Sequence, residues 1–209
     1  MSPHWPWVTL ALLGAFHGAH PGMGWLFAVA LGLQERSGRA VLAALPPIAL
    51  GHAVSVGLTV AVLALGQIAL STAQLKWGIG AMLIGFGVYK LVRPRHPRWV
   101  GMRVGFRDLT LWSFLMATAH GAGLMLIPVF LLASPPEHAH HAHAMPAFAT
   151  WGGYATGVGL HTAAMLLTAG GIALLVYYKL GLSILRQAWF NLDRSWAAAL
   201  VVAGALAAI

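Results

Sequence analysis

The sequence contains no cysteine and few charged residues. Of its 209 residues 8% are charged, whereas soluble domains average about 25%. Without cysteine, disulfides and thiolate metal sites are excluded. With 59% hydrophobic residues and a mean hydropathy of +0.79, the chain cannot cover a water-facing surface. These features predict an all-α integral membrane protein, because long apolar runs satisfy their backbone hydrogen bonds in lipid as helices.

Six apolar runs are long enough to cross a bilayer. They lie at roughly 7–33, 41–69, 75–92, 110–133, 150–178 and 188–208. All Lys and Arg residues except Lys76 fall in every second connection, which the positive-inside rule places in the cytoplasm. We therefore predict a multi-pass protein of a bacterial inner (cytoplasmic) membrane with both termini outside. This placement explains the +8 formal charge by topology, so the expected partner is the lipid bilayer and not nucleic acid.

The two halves of the sequence resemble each other. The segment AFHGAHPGMGW of the first run matches ATAHGAGLMLIP of the fourth through the pattern A-x-H-G-A. Each half holds three spans, an odd number, so the second must cross the membrane upside down, as in many transporters. We predict a first three-helix repeat at 1–93, a basic cytoplasmic linker at 94–109, and a second repeat at 110–209 with an external loop at 134–149.

Histidines lie deep in the predicted spans. A helix rises about 1.5 Å per residue, so four of these histidines lie about 15–18 Å from the nearer end of their run. The hydrocarbon layer is about 30 Å thick, and this depth is therefore its centre. His20 lies one helical turn from the first of these, and Pro21 with three nearby glycines predicts a broken helix there. A single buried histidine is commonly an interhelical hydrogen-bonding group. Five at one depth predict a shared polar site, made of His17, His20, His52, His120 and His161.

Imidazoles without carboxylates or thiolates suit nickel, cobalt, zinc or copper ions better than magnesium or calcium. The site is expected to take such an ion as substrate, with proton exchange as a natural coupling, and no organic cofactor is expected. Auxiliary ligands could come from Met23, Ser55 and Thr162, whose alternative roles are packing and capping of carbonyls. We therefore predict a transporter and not an enzyme.

A second histidine cluster lies in the predicted external loop, in the segment EHAHHAHAM. Short His-rich tracts bind transition metals. We predict auxiliary metal capture by His138, His140, His141 and His143, the alternative being a low-complexity linker.

The segments GAFHGAHPG and GHAVSV resemble the nickel/cobalt efflux permeases of the NicO (RcnA-like) type, within the LysE-like transporter superfamily. The match runs from Gly14 to about Val56 and covers the second half by architecture only. The resemblance implies a six-helix transporter that handles metal through His17 and His52. Met23 and Trp25 stand where that family carries His and Lys, which leaves metal identity and transport direction open.

Two other functions remain open from the sequence. Paired histidines on facing spans could ligate haem in a membrane-embedded metal or haem protein. Alternatively, a LysE-like exporter of a small solute would use its histidines as hydrogen-bonding groups or proton carriers. Oligomeric state is also open, and a homo-oligomer is compatible with the sequence.

Overall fold

The computed structural model of the protein describes residues 4–92, 105–133, 148, 150–180 and 192–208. Within these ranges the chain is helical apart from short turns and contains no strand. The helices are α1 (Trp5–Ala19), α2 (Trp25–Gln34), α3 (Gly38–Ala43), α4 (Leu45–Ala69), α5 (Thr72–Val92), α6 (Phe106–His120), α7 (Ile127–Leu132), α8 (Trp151–Leu175) and α9 (Leu192–Ala208).

Two of the predicted runs are broken directly after a histidine. Between α1 and α2, His20 is extended with ψ 126°, because a residue before proline disfavours the helical region. A short 3₁₀ turn follows, and Gly24 then adopts φ 111°, which favours glycine. Between α6 and α7, Gly121 ends the first helix in the left-handed region with φ 70°. Both runs are therefore interrupted next to the predicted site.

The two prolines near the start of α4 do not break that helix. Pro46 and Pro47 lie in the first turn of α4, where a missing N–H leaves no hydrogen bond unmade. The chain turns just before them, at Ala44, which separates α3 from α4. The segment Gly38–Gln67 still counts as one continuous membrane-span candidate.

Two helical segments of the described chain, Gly38–Gln67 and Trp151–Lys179, are long and apolar enough to cross a membrane. The pair Phe106–His120 and Leu124–Leu132, bent by 50°, counts as a third if it forms one broken span. Large apolar side chains cover the outer faces of the helices; Leu167, for example, is 78% exposed. Such a surface suits acyl chains and not water. The protein is thus helical, with two or three helices able to cross a membrane.

The long helices pack most extensively in three pairs: α1 with α8, α4 with α6, and α5 with α9. Glycines allow the first two pairs to approach closely. A methyl carbon at Gly18 would overlap the carbonyl oxygen of Met165, and one at Gly51 would overlap that of Thr110. Backbone therefore meets backbone at these crossings, as in the close helix packing of membrane proteins.

The buried apolar side chains form two clusters, and a histidine layer lies between them. On α4, Ile48 belongs to one cluster and Val56 to the other, with His52 between them along the helix. On α8 the order along the chain is reversed: Tyr154 belongs to the cluster of Val56 and Met165 to that of Ile48, with His161 between them. The fold therefore places its polar site between two apolar layers.

Candidate metal centre

All five predicted site histidines are buried. Their exposed fractions lie between 0% and 5%. They come from four helices and from the break after α1: His17 on α1, His20 in the break, His52 on α4, His120 at the end of α6, and His161 on α8. The structure groups them as three and two.

Three of the rings form a mutually contacting set, which we call the histidine triad: His17, His52 and His161. The ring centre of His17 lies 5.4 Å from that of His52 and 5.1 Å from that of His161. The rings of His52 and His161 are stacked at 5.4 Å with an interplanar angle of 17°. Three different helices thus contribute one imidazole each to a single contact cluster.

Hydrogen bonding fixes the tautomer of one triad member. The Nδ1 of His161 lies 3.2 Å from the carbonyl oxygen of Leu10. Because a carbonyl only accepts, Nδ1 carries the proton and Nε2 of the neutral ring keeps a lone pair. In the described part of the chain, that Nε2 and both ring nitrogens of His52 are buried without a hydrogen-bond partner. The triad therefore presents buried nitrogens suited to an electrophile.

The ring centres of the triad have the spacing of a metal site, but the rings do not have the orientation of one. Imidazole nitrogens bind Zn²⁺ at about 2.0–2.1 Å and ring centres lie about 1.1 Å further out, so rings on one tetrahedral ion have centres about 5.2 Å apart. The observed separations of 5.1–5.4 Å agree. Nevertheless, among the described residues no group of three or more His, Cys, Asp or Glu side chains is placed to hold a metal ion. To bind an ion, the rings would have to turn about their side-chain bonds, while the helices could keep their present separation.

The two acidic side chains that the structure describes do not contribute to this layer. Glu35 caps the end of α2 and Asp108 lies in the first turn of α6, and both are exposed. The triad is accordingly an uncharged ligand set whenever its imidazoles are neutral.

The other two histidines form a second ring contact at the two helix breaks. The ring centres of His20 and His120 lie 4.9 Å apart. The Nδ1 of His20 accepts the N–H of Gly22 at 3.0 Å, so the neutral ring carries its proton on Nε2. The Nδ1 of His120 donates to the carbonyl of Met116 at 2.9 Å, which leaves its Nε2 with the lone pair. The pair thus combines a donor tautomer with an acceptor tautomer.

The predicted auxiliary residues are buried but differ in their contacts. Ser55 Oγ hydrogen-bonds Thr118 Oγ1 at 2.8 Å, which joins α4 to α6. Met23 is 2% exposed and lies in the turn after the break. Thr162 is 8% exposed, and its Oγ1 has no hydrogen-bond partner within the described ranges. Thr162 directly follows His161 and is therefore the auxiliary residue nearest the triad in sequence.

The predicted capture residues in the external loop, His138, His140, His141 and His143, lie outside the described residues. So does most of the predicted basic linker, which is described only from residue 105 onward.

The sequence analysis did not identify a groove between α4 and α8, which we call the α4–α8 groove. Its volume is about 580 Å³. It is lined by small residues spaced four apart on both helices, which could have indicated it: Ala53, Gly57 and Ala61 on α4, and Ala155, Gly159 and Ala163 on α8. Trp151, Tyr154 and Thr162 also line it.

Comparisons of the chain with protein-family models, with curated proteins and with solved structures found no match.

Proposed function

We propose that the chain is an inner-membrane transporter of a divalent transition-metal ion that passes through the histidine triad. Ni²⁺ and Co²⁺ are the first candidates, and Zn²⁺ and copper ions follow. Neutral imidazoles without carboxylates favour these ions over Mg²⁺ or Ca²⁺. Neither of the two described carboxylates, Glu35 and Asp108, lies at the triad to neutralise an ion, and this suits transport, because a weakly held ion can leave the site again.

One observation carries the proposal. Three imidazoles from three different helices lie with ring centres 5.1–5.4 Å apart, in a buried layer between two apolar clusters. Polar groups inside a membrane protein are costly and are typically retained where a substrate or ion passes. A layer built only to join helices would need one hydrogen-bonding partner for each ring. His52 has no such partner among the described residues.

The helix pairing supports six spans arranged as two inverted repeats. In the two repeats α1 corresponds to α6, α4 to α8 and α5 to α9. Exchanging the halves therefore converts the α1–α8 pair into the α6–α4 pair and leaves the α5–α9 pair unchanged. These three pairs are the most extensive helix contacts in the described chain. The helix breaks correspond as well, because each half breaks its first span within three residues of its matched histidine, His17 or His120. Transporters of this architecture bind their substrate at the interface between the repeats.

The test is metal binding and flux with purified protein. To exclude the external loop, all measurements use a background in which His138, His140, His141 and His143 are changed to Gln. We expect Co²⁺ to bind by equilibrium dialysis with element-resolved detection and to enter proteoliposomes. His52→Gln and His161→Gln should each reduce binding and flux at least tenfold, because one ligand of three is lost.

His4→Gln is the matched control, because His4 is an exposed histidine at the start of α1 and outside the site. Its binding and flux should equal those of the background protein. Size-exclusion and circular-dichroism profiles check that the triad variants remain folded. Normal Co²⁺, Ni²⁺, Zn²⁺ and copper binding in folded His52→Gln protein would refute the proposal.

A further inference from the structure

The start of α3 lies against the turn that follows α8. α3 packs on α8, and a methyl carbon at Gly38 would overlap the hydroxyl oxygen of Tyr178 in the turn Val176–Leu180. Arg39 directly follows Gly38, and Lys179 directly follows Tyr178. Consecutive α-carbons are about 3.8 Å apart, so this contact brings both cations to one corner of the protein. We call it the Arg39–Lys179 corner.

The Arg39–Lys179 corner lies where two apolar helical segments end. The candidate span Gly38–Gln67 begins there, and the candidate span Trp151–Lys179 ends there. The side chains of Arg39, Tyr178 and Lys179 are exposed. Tyrosine is typical of the boundary between hydrocarbon and headgroups, and long cationic side chains reach from apolar surface into the headgroups. In a membrane crossed by these two segments, the corner lies at the depth of the headgroups.

Exposed leucines lie next to each cation, on the side toward the middle of the helices. Leu42 lies three residues after Arg39, and Leu175 lies four residues before Lys179. Residues at this spacing lie about one turn apart on the same side of a helix. A cation therefore borders exposed apolar surface on both segments. A ligand that matches both features needs a negative group joined to an apolar chain.

The described side chains give the corner an excess of positive charge. Glu35 and Arg36 follow each other just before α3, so their opposite charges offset each other. Asp108, the other carboxylate whose side chain is described, lies in the first turn of α6. Among the described side chains, the excess charge of the corner is therefore that of Arg39 and Lys179.

We propose that the Arg39–Lys179 corner binds one anionic phospholipid, whose phosphate contacts the two cations and whose acyl chains lie along Leu42 and Leu175. A free phosphate would contact the cations and leave the exposed leucines uncovered. A zwitterionic headgroup carries a cation of its own, which Arg39 and Lys179 repel. The lipid site does not depend on the proposed metal transport, so either can fail without the other.

The test is lipid binding to the detergent-purified protein, measured by native mass spectrometry with phosphatidylglycerol and phosphatidylcholine of identical chains. The unmodified protein should bind phosphatidylglycerol more tightly. Arg39→Gln and Lys179→Gln should each weaken phosphatidylglycerol binding about fivefold, and the double variant about thirtyfold, which corresponds to about 1 kcal/mol for each cation. Phosphatidylcholine binding should not change. Both side chains are exposed, so the variants should fold, and circular-dichroism and size-exclusion profiles check this.

Arg107→Gln is the matched control, because it removes one charge from an exposed arginine on α6, outside the contact of α3 with the turn after α8. Its phosphatidylglycerol binding should equal that of the unmodified protein. An equal loss in Arg107→Gln and Lys179→Gln would show unspecific attraction by surface charge and overturn the proposal. So would full binding in the double variant. Displacement of the lipid by an equal concentration of inorganic phosphate would show a simple anion site and would also refute it.

Discussion

The crossing of α1 and α8 can be tested with Gly18→Ala. A methyl carbon at residue 18 would overlap the carbonyl oxygen of Met165 and lie 3.0 Å from the backbone nitrogen of Ala169. These are backbone atoms, so they cannot turn aside as a flexible side chain would. The two helices must separate at this point, which is one residue from His17.

The magnitude follows from two opposing contributions. Overpacking a tight contact costs about 1–3 kcal/mol, and a contact with backbone lies toward the upper end of that range. Alanine is favoured over glycine in a helix by about 1 kcal/mol. The net loss in the free energy of unfolding is therefore about 1–2 kcal/mol, or about 2–8 °C in Tm at 2–4 °C per kcal/mol.

Thermal unfolding in detergent, followed by tryptophan fluorescence, measures this effect. Gly171→Ala is the control, because a methyl carbon there meets no atom within 4 Å. Its Tm should stay equal or rise, since only the helix propensity changes. If Gly18→Ala were as stable as Gly171→Ala, the close packing of α1 on α8 would be wrong, and with it the 5.1 Å separation of His17 and His161.

Three further predictions concern single hydroxyl groups. Tyr154→Phe removes the 2.6 Å hydrogen bond to Gln67 Oε1 and should lower stability by about 1 kcal/mol in the same thermal assay; an unchanged Tm would contradict the bond. Ser55→Ala and Thr118→Val should show a coupling of about 0.5–1.5 kcal/mol in a double-mutant cycle, and additive effects would argue against their 2.8 Å contact. Thr162→Val should raise stability by about 1 kcal/mol, because the hydroxyl is buried and has no partner in the described structure; lower stability would show that it has one.

Burial of the site histidines was predictable from spacing alone. The helical rise converts sequence distance into depth, so His52 and His161 could be assigned to one layer before any packing was known. The break after α1 was also predictable, since Pro21 restricts the residue before it. Proline has no such effect in α4, because Pro46 and Pro47 lie in its first helical turn.

The grouping of the histidines could not be predicted. Depth does not determine which side of a helix faces which neighbour, and that depends on close crossings such as the one at Gly18. The orientation of the His20 ring depends further on a local hydrogen bond, which the N–H of Gly22 donates to its Nδ1. The α4–α8 groove arises where two small-residue faces do not meet, and the same spacing in a sequence equally predicts a closed helix contact.

The exposed positions of Glu35 and Asp108 have an electrical consequence for the proposed transporter. Neither carboxylate adds charge to the histidine layer. With neutral imidazoles in that layer, two charges move in the step in which the ion crosses the transmembrane field, which contributes about 4.6 kcal/mol per 100 mV. At equilibrium, 100 mV alone would sustain a ratio of about 2,000-fold between the ion concentrations in the two compartments. Transport of the ion without a compensating ion should therefore generate a current, which can be recorded in a voltage-clamped planar bilayer.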